Sequence, residues 1–161
     1  MSITMDKDLK KIAERFSGKF PGVIDEAVRD TTGYAKGLLI RSTAKGRTGQ
    51  ALGGWLSKKV SNAVYLLWNR MIYAKFLETG TGLFGPKRKR IFPKTKKYLV
   101  FPIVSGNTAG EWIRVKSTKG MKAQPMIKPN EKKIQKDLNL RIKKRITKLW
   151  KDVFMTGMIA L

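Results

Sequence analysis

The apolar residues of the first forty-four positions recur at intervals of three and four, which is the spacing of one helix face. Gly18 interrupts the pattern, and Pro21 suits the first turn of a new helix. We therefore predict a long helical region over 1–44 with a break near Gly18. The apolar positions are Leu9, Ile12, Phe16, Val23, Ile24, Ala27, Val28, Thr31, Tyr34, Ala35, Leu38 and Leu39.

The middle of the chain carries two pairs of short β-rich segments. The first pair, 55–60 and 63–68, is separated by a Ser-Asn turn and predicts a hairpin. The second pair covers 98–104 and 112–115. Glycines and other turn-forming residues over 43–54 predict a loop between the helical region and the first strand.

A short helix is predicted between the two strand pairs, over 73–78. Thr79 and Gly80 follow it, and a glycine in the left-handed conformation is a common helix end. A basic loop over 86–97, bounded by two prolines, leads to the second strand pair.

The last part of the chain has the clearest helical pattern, with apolar positions over about twenty residues from Ile134 to Val153. Asn130 is a suitable N-cap, and Glu131 lies in the first turn. The element order predicts an α+β fold with an antiparallel sheet of about four strands. We expect a single domain over 1–161, made of a helical N-terminal region (1–44), a sheet core (45–129) and a C-terminal helix and tail (130–161).

Composition excludes several kinds of chemistry. The 161 residues include 35 Lys and Arg, 11 Asp and Glu, and neither Cys nor His, for a formal net charge of +24. Without thiolates and imidazoles, the usual zinc and iron–sulfur ligand sets are missing, and only carboxylates, Lys, Tyr and Ser/Thr remain as candidate catalytic groups. We expect no enzymatic activity, no cofactor, no metal site and no catalytic residue. The charge instead predicts a negatively charged partner.

The charge is unevenly distributed along the chain. Residues 1–30 hold six basic and six acidic side chains, whereas residues 31–110 hold fifteen basic residues and one acid, Glu78. Residues 111–161 hold fourteen basic residues and four acids. A lone acid in a cationic, aromatic neighbourhood is expected to have a structural role, and we predict an ion pair of Glu78 with Arg47 or Arg70.

The glycines at 80, 82 and 85 match the G-x-G-x-x-G pattern of dinucleotide-binding loops. That pattern normally follows a strand and opens a helix, whereas here a helix precedes it and Pro86 follows. A flexible glycine-rich loop after a helix end is the favoured interpretation.

The basic loop holds seven cations within eleven residues, with Phe92 and Tyr98 beside them. Such a loop suits contact with phosphates or an acidic partner, without base specificity. A solvated hairpin loop and a nuclear-import signal are the alternatives. The cations are Lys87, Arg88, Lys89, Arg90, Lys94, Lys96 and Lys97.

The C-terminal helix also presents many cations around its apolar stripe. It fits a core-docked helix with a solvated basic face, a nucleic-acid-facing element or a membrane-surface helix, the last being least favoured. Carboxylates are scattered, which argues against a two-metal nuclease. The cations are Lys132, Lys133, Lys136, Arg141, Lys143, Lys144, Arg145, Lys148 and Lys151.

Three segments together resemble the tail-completion or neck proteins of tailed bacteriophages, which help join capsid and tail. The residues 48–52, Thr-Gly-Gln-Ala-Leu, look like a T-G-x-L element with one additional residue before the leucine, and 73–81 look like the more specific Y-A-x-x-x-E-x-G-T element. The residues 123–129 look like a small-x-P-apolar-apolar-x-P element. The chain departs from the family in having Lys45-Gly46-Arg47 where members often carry Pro-Val-Asp, and in a longer basic extension beyond Pro129.

This resemblance implies a non-enzymatic virion subunit that forms a six- or twelvefold ring at the head–tail junction. Its implied partners are other neck, connector and tail proteins and, by charge, genomic double-stranded DNA, with no membrane. The protein would occupy the host cytoplasm during assembly and the virion afterwards. The residues that carry the resemblance, with structural or assembly roles, are Thr48, Gly49, Leu52, Tyr73, Ala74, Glu78, Gly80, Thr81 and Pro125.

On this view Thr48, Gly49 and the basic loop are mobile segments that order on assembly. The main alternative is a stand-alone, sequence-independent nucleic-acid-binding protein, which predicts tight and strongly salt-dependent duplex binding.

Overall fold

The computed structural model describes residues 2–44, 49–102 and 111–159, with side chains for 9–44, 49–102 and 111–155. The predicted α+β fold class is confirmed. The elements in order are α1 (Ser2–Ser42), α2 (Gln50–Gly53), β1 (Trp55–Ser61), β2 (Val64–Asn69), α3 (Ala74–Thr79), β3 (Leu99–Pro102), β4 (Trp112–Val115) and α4 (Glu131–Ile159), with 3₁₀ turns at Gly82–Phe84 and Lys128–Asn130.

The chain divides into two compact units. The helical unit contains residues 1–70 and 127–161, and the basic-loop unit contains residues 71–126. The prediction that 1–161 form a single domain stays a prediction.

The predicted break near Gly18 is wrong, because α1 continues through Pro21. Proline removes one backbone donor from the helix, and packing along the same stretch compensates for that loss. The rings of Phe16 and Phe20 lie 5.7 Å apart, and Phe16 meets Trp150 of α4 edge-on at the same separation. Aromatic packing against α4 therefore holds the helix together where local propensity favours a break.

Small buried residues bring α1 and α4 together. Ala27, Thr31 and Ala35 lie four residues apart on α1 and are buried, as is Leu39 one turn further on. Leu149 and Val153 of α4 are buried as well. Small side chains on one face allow two helix backbones to approach closely, so the packing depends on this spacing as much as on large apolar residues. α4 has 29 residues, longer than predicted.

The strands form two separate ladders, whereas we predicted about four strands in one sheet. β1 pairs with β2 and β3 pairs with β4, both antiparallel. The first turn lies at Asn62 and Ala63, one residue later than predicted, and Ala63 adopts a positive φ of 55°. β3 covers part of the segment predicted over 98–104, of which 103 and 104 lie outside the described residues.

The first hairpin is tied to α1 at both ends. Trp55 is buried, and its indole N–H donates to Thr43 Oγ1 at 2.8 Å. At the turn, Asp25 accepts the backbone N–H of Ala63 at 2.9 Å and pairs with Lys59 at 2.6 Å.

Within the part of the chain that the structure describes, no helix has the combination of length and apolar character that crossing a membrane requires.

Candidate assembly and phosphate-facing surfaces

The glycine-rich segment after α3 packs backbone to backbone against residues 118–123. Thr81 and Met121 exchange two hydrogen bonds of 2.9 Å. The Thr81 N–H donates to the Met121 carbonyl, and the Met121 N–H donates to Thr81 Oγ1. The Leu83 N–H donates to the Lys119 carbonyl at 2.8 Å. Gly80 ends α3 with a φ of 73°, and a Cβ there would lie 2.8 Å from the Phe84 oxygen.

The segments 80–85 and 118–123 cross each other, and their backbones approach most closely at Gly82 and Gly120. Both have positive φ, 63° and 84°. A Cβ on Gly82 would overlap the Lys119 carbonyl, and one on Gly120 would overlap the Thr81 carbonyl. The space above these glycines is therefore filled by protein backbone, which leaves no phosphate cradle. We predicted a flexible loop here; the described segment is hydrogen-bonded to residues 119 and 121, and its flexibility stays a prediction.

Glu78 connects α3 to the segment 124–126. Its Oε2 accepts the backbone N–H of Met126 at 2.5 Å, and the adjacent Leu77 carbonyl accepts the Gln124 N–H at 2.7 Å. Met126 is only 1% exposed. Of the predicted ion-pair partners, Arg47 lies outside the described residues, and pairing with Arg70 stays a prediction.

The other residues of the three resembling segments differ in burial and in their hydrogen bonds. Thr48 lies outside the described residues, whereas Gly49 has a φ of 66° and accepts two N–H groups at the start of α2, including that of Leu52 at 3.0 Å. Tyr73 precedes α3, and its carbonyl accepts the N–H groups of Phe76 and Leu77. Ala74 is buried and Pro125 is exposed.

The basic loop is attached to the same crossing. Ile91 and Thr118 exchange backbone hydrogen bonds of 2.9 and 3.0 Å, and Arg90 Nε donates to Ser117 Oγ at 3.0 Å. The seven predicted cations of the loop are all exposed. None of them forms an ion pair with an acid among the described residues. Arg88 has a φ of 47°, and its N–H donates to the Gly85 carbonyl.

The β3–β4 hairpin exposes apolar side chains on both of its faces. Phe101 pairs with Ile113 on one face, and Pro102 pairs with Trp112 on the other. Trp112 is 68% exposed and Val100 is 50% exposed, and Phe101 and Ile113 are also exposed. A two-stranded ladder with this much apolar surface in water is typical of a segment that meets a partner.

The arginines of α4 form ion pairs, in contrast to the cations of the basic loop, because α1 supplies acids to them. Arg145 pairs with Glu26 and Asp30, and Arg141 pairs with Asp137 at 2.6 Å and with Asp30 at 3.9 Å. Thr31 Oγ1 also donates to Asp137, at 3.2 Å. Sequence reasoning missed this cluster, although the spacing of four residues in both helices is a readable signal for it.

The same contacts shift the ionisation of the acids and their partners. The Lys59 ammonium and the Ala63 N–H lower the pKa of Asp25 below its ordinary 3.8. Partial burial acts to raise the pKa of Asp30, but Arg145 and Arg29 outweigh it, so this pKa is lowered too. The hydrogen bond to Asp25 raises the pKa of Lys59, and the one to Asp137 raises the pKa of Arg141.

The lysines of α4 remain in solvent while its two arginines are engaged with carboxylates. All seven are exposed, and none pairs with an acid whose side chain is described. We call this set the lysine face: Lys132, Lys133, Lys136, Lys143, Lys144, Lys148 and Lys151.

In the described ranges, no three acids come together in a way that would hold a metal ion. Compared with protein-family models, curated proteins and solved structures, the chain has no significant match.

Proposed function

We propose that this chain is a non-enzymatic structural subunit of the neck of a tailed bacteriophage. In this role it completes the tail as a six- or twelvefold ring at the head–tail junction, contacting neck, connector and tail proteins and the packaged double-stranded DNA. It would reach the virion from the host cytoplasm. The proposal starts from the resemblance of three sequence segments to that family.

One observation carries the proposal furthest, namely that two of the three resembling segments meet in space. The segments 73–81 and 123–126 are more than forty residues apart in sequence. Glu78 binds the Met126 N–H, and Leu77 binds the Gln124 N–H. The glutamate and the glycine of the middle segment therefore serve one local structure, which supports reading the segments as one family element.

The exposed apolar hairpin supports an assembling subunit. The side chains at Val100, Phe101, Trp112 and Ile113 are exposed on a ladder of only two strands. Burying aromatic residues of this kind in a neighbouring subunit is a usual source of interface stability. A head-to-tail interface that closes on itself produces a ring.

Electron microscopy of a lysate tests the proposal. The gene for this chain is interrupted in a phage that encodes it, and free capsids, free tails and joined particles are counted. We expect separate capsids and tails, with joined particles restored when the intact gene is supplied in trans. Joined, infectious particles at normal yield without the gene would overturn the proposal and favour the stand-alone nucleic-acid-binding function.

The basic loop supplies a second test by complementation. Replacing Lys87, Arg88, Lys89 and Arg90 with Ser should leave folding intact, since exposed loop cations contribute little to stability. The variant should impair assembly or DNA retention if the loop meets DNA or an acidic partner. Normal particle yield and infectivity would remove the loop from the mechanism.

A further inference from the structure

We infer that the lysine face of α4 is a docking surface for the phosphate backbone of duplex DNA. The inference rests on the proposed function for the identity of that DNA, and it assigns the contact to a helix face that the three resembling segments do not include.

The arginines and the lysines of α4 have different surroundings. Arg141 and Arg145 are partly buried and bind acids on α1 and α4, whereas the seven lysines remain exposed. Arginine is the residue of choice for ion pairs within a protein, because its planar group binds carboxylates in a fixed geometry. The chain thus neutralises only the charges that the helix packing needs and leaves a cationic surface beside them.

The seven lysines lie on one side of α4 and extend along most of its length. At about 100° per residue, the seven lysines fall within an arc of about 160°, opposite the apolar stripe. The distance along the helix from Lys132 to Lys151 is about 28 Å at 1.5 Å per residue, a length occupied by about eight phosphates of one DNA strand. Asp137 lies inside this arc, and Arg141 binds its carboxylate. The face therefore presents a row of positive charge long enough to follow a backbone.

The apolar side of α4 is packed against α1. Leu149 and Val153 are buried, and Ile142 and Ile146 are half-buried. A membrane-surface helix needs that apolar side to enter the lipid, so the packing favours DNA over a membrane. Protein interfaces are poor in lysine, which favours a polyanion with regularly repeated charge over an acidic protein partner.

The experiment compares binding of the full-length chain to a duplex of random sequence over a range of salt concentrations. If the seven lysines are the contacts, the slope of log affinity against log salt is expected to be about −6, at about 0.9 per phosphate. Changing Lys143, Lys144, Lys148 and Lys151 to Gln should reduce the slope to about −3 and weaken binding at moderate salt by at least about tenfold.

A charge-matched control separates the face from net charge. The control changes Lys10, Lys11, Arg15 and Lys19 of α1 to Gln, all of them exposed, and so also removes four positive charges. It should leave the slope within about one unit of the parent value. Circular dichroism and thermal melting check that both variants stay folded, since Gln has a helix propensity close to that of Lys.

Several results would overturn the inference. They are absence of duplex binding by the parent chain at low salt, an unchanged slope in the α4 variant, or equal losses in the α4 variant and the control. Binding to anionic vesicles or polyglutamate with no binding to the duplex would also overturn it. Any of these results can occur while the interrupted gene still yields separate capsids and tails, so failure of the inference is distinguishable from failure of the proposed function.

Discussion

The two units of this protein use charge in opposite ways. In the helical unit, Asp25, Glu26 and Asp30 of α1 each meet a cation. The sequence of the basic-loop unit contains twelve Lys and Arg but only two acids, Glu78 and Glu111. Glu78 accepts a hydrogen bond from a backbone N–H. One unit is therefore held by packed helices with paired charges, and the other by backbone contacts across glycines. Among the described residues, the cations of the basic loop and the lysines of α4 form no ion pair with an acid, and these are the surfaces that we propose to bind a partner.

The largest expected effect comes from a glycine that distinguishes the two units. Gly82→Ala should destabilise the basic-loop unit by about 3 kcal/mol or more, because the new Cβ would overlap the Lys119 carbonyl at a positive φ. Hydrogen exchange should show loss of protection at the Leu83 amide. Gly33→Ala on α1 is the matched control, with open space around it, and should stabilise the chain by up to about 1 kcal/mol. Equal effects of the two changes would contradict the comparison.

The next effect concerns the two acids of the basic-loop unit. Glu78→Ala should lower the free energy of unfolding by about 2 kcal/mol, because the buried Met126 loses a charged acceptor for its N–H. Glu78→Gln keeps an oxygen acceptor and should cost about 1 kcal/mol. Thermal melting measures both. The exposed Glu111, changed to Gln, should stay within about 0.5 kcal/mol of the parent. An unchanged midpoint for Glu78→Gln would count against the role given to its charge.

A smaller effect separates arginine from lysine on α4. Arg145→Met keeps the apolar stem but removes the pairs with Glu26 and Asp30, at an expected cost of about 1 kcal/mol after solvent screening. Lys144→Met on the lysine face should change stability by less than about 0.5 kcal/mol. Chemical denaturation of the two variants provides the measurement, and a larger loss for Lys144→Met would reverse the assignment.

The smallest effect is the pH dependence of the helical unit. Asp25 and Asp30 have lowered pKa values, so their stabilisation is present above about pH 4 and is lost as pH falls through those values. The melting temperature should therefore decrease between pH 5 and pH 2. Asp30→Asn should make this decrease shallower by about 1–2 °C. A steeper profile for Asp30→Asn would have the wrong sign for this account.

The sequence predicts the elements better than it predicts what holds them together. Hydrophobic spacing locates α1 and α4 to within a few residues, because burial of one helix face requires that spacing. The strands are located by β-rich composition and by the turn residues between them. It fails at Pro21, where Phe16 and Trp150, far apart in sequence, pack together and outweigh the local break signal. It also fails to divide the strands into two ladders.

The candidate site was predictable by residue type and less so by geometry. The exposure of the basic-loop cations follows from their density in the sequence, whereas the ion pair predicted for Glu78 stays a prediction and its bond to the Met126 N–H was not predicted. The crossing of Gly82 with Gly120 does not, because nothing near Gly82 in sequence indicates a backbone segment almost forty residues away. The division of α4 cations into paired arginines and free-standing lysines likewise depends on which acids α1 brings to them.

Location in the virion tests the central claim most directly. Intact particles are labelled with a gold-conjugated antibody to this chain, after brief detachment of heads from tails to expose the junction, and the gold positions are recorded by electron microscopy. The account predicts label at the head–tail junction, on a ring of copies. Label confined to the capsid shell or the tail tip, or its absence from purified virions that the same antibody detects in infected cells, would contradict it.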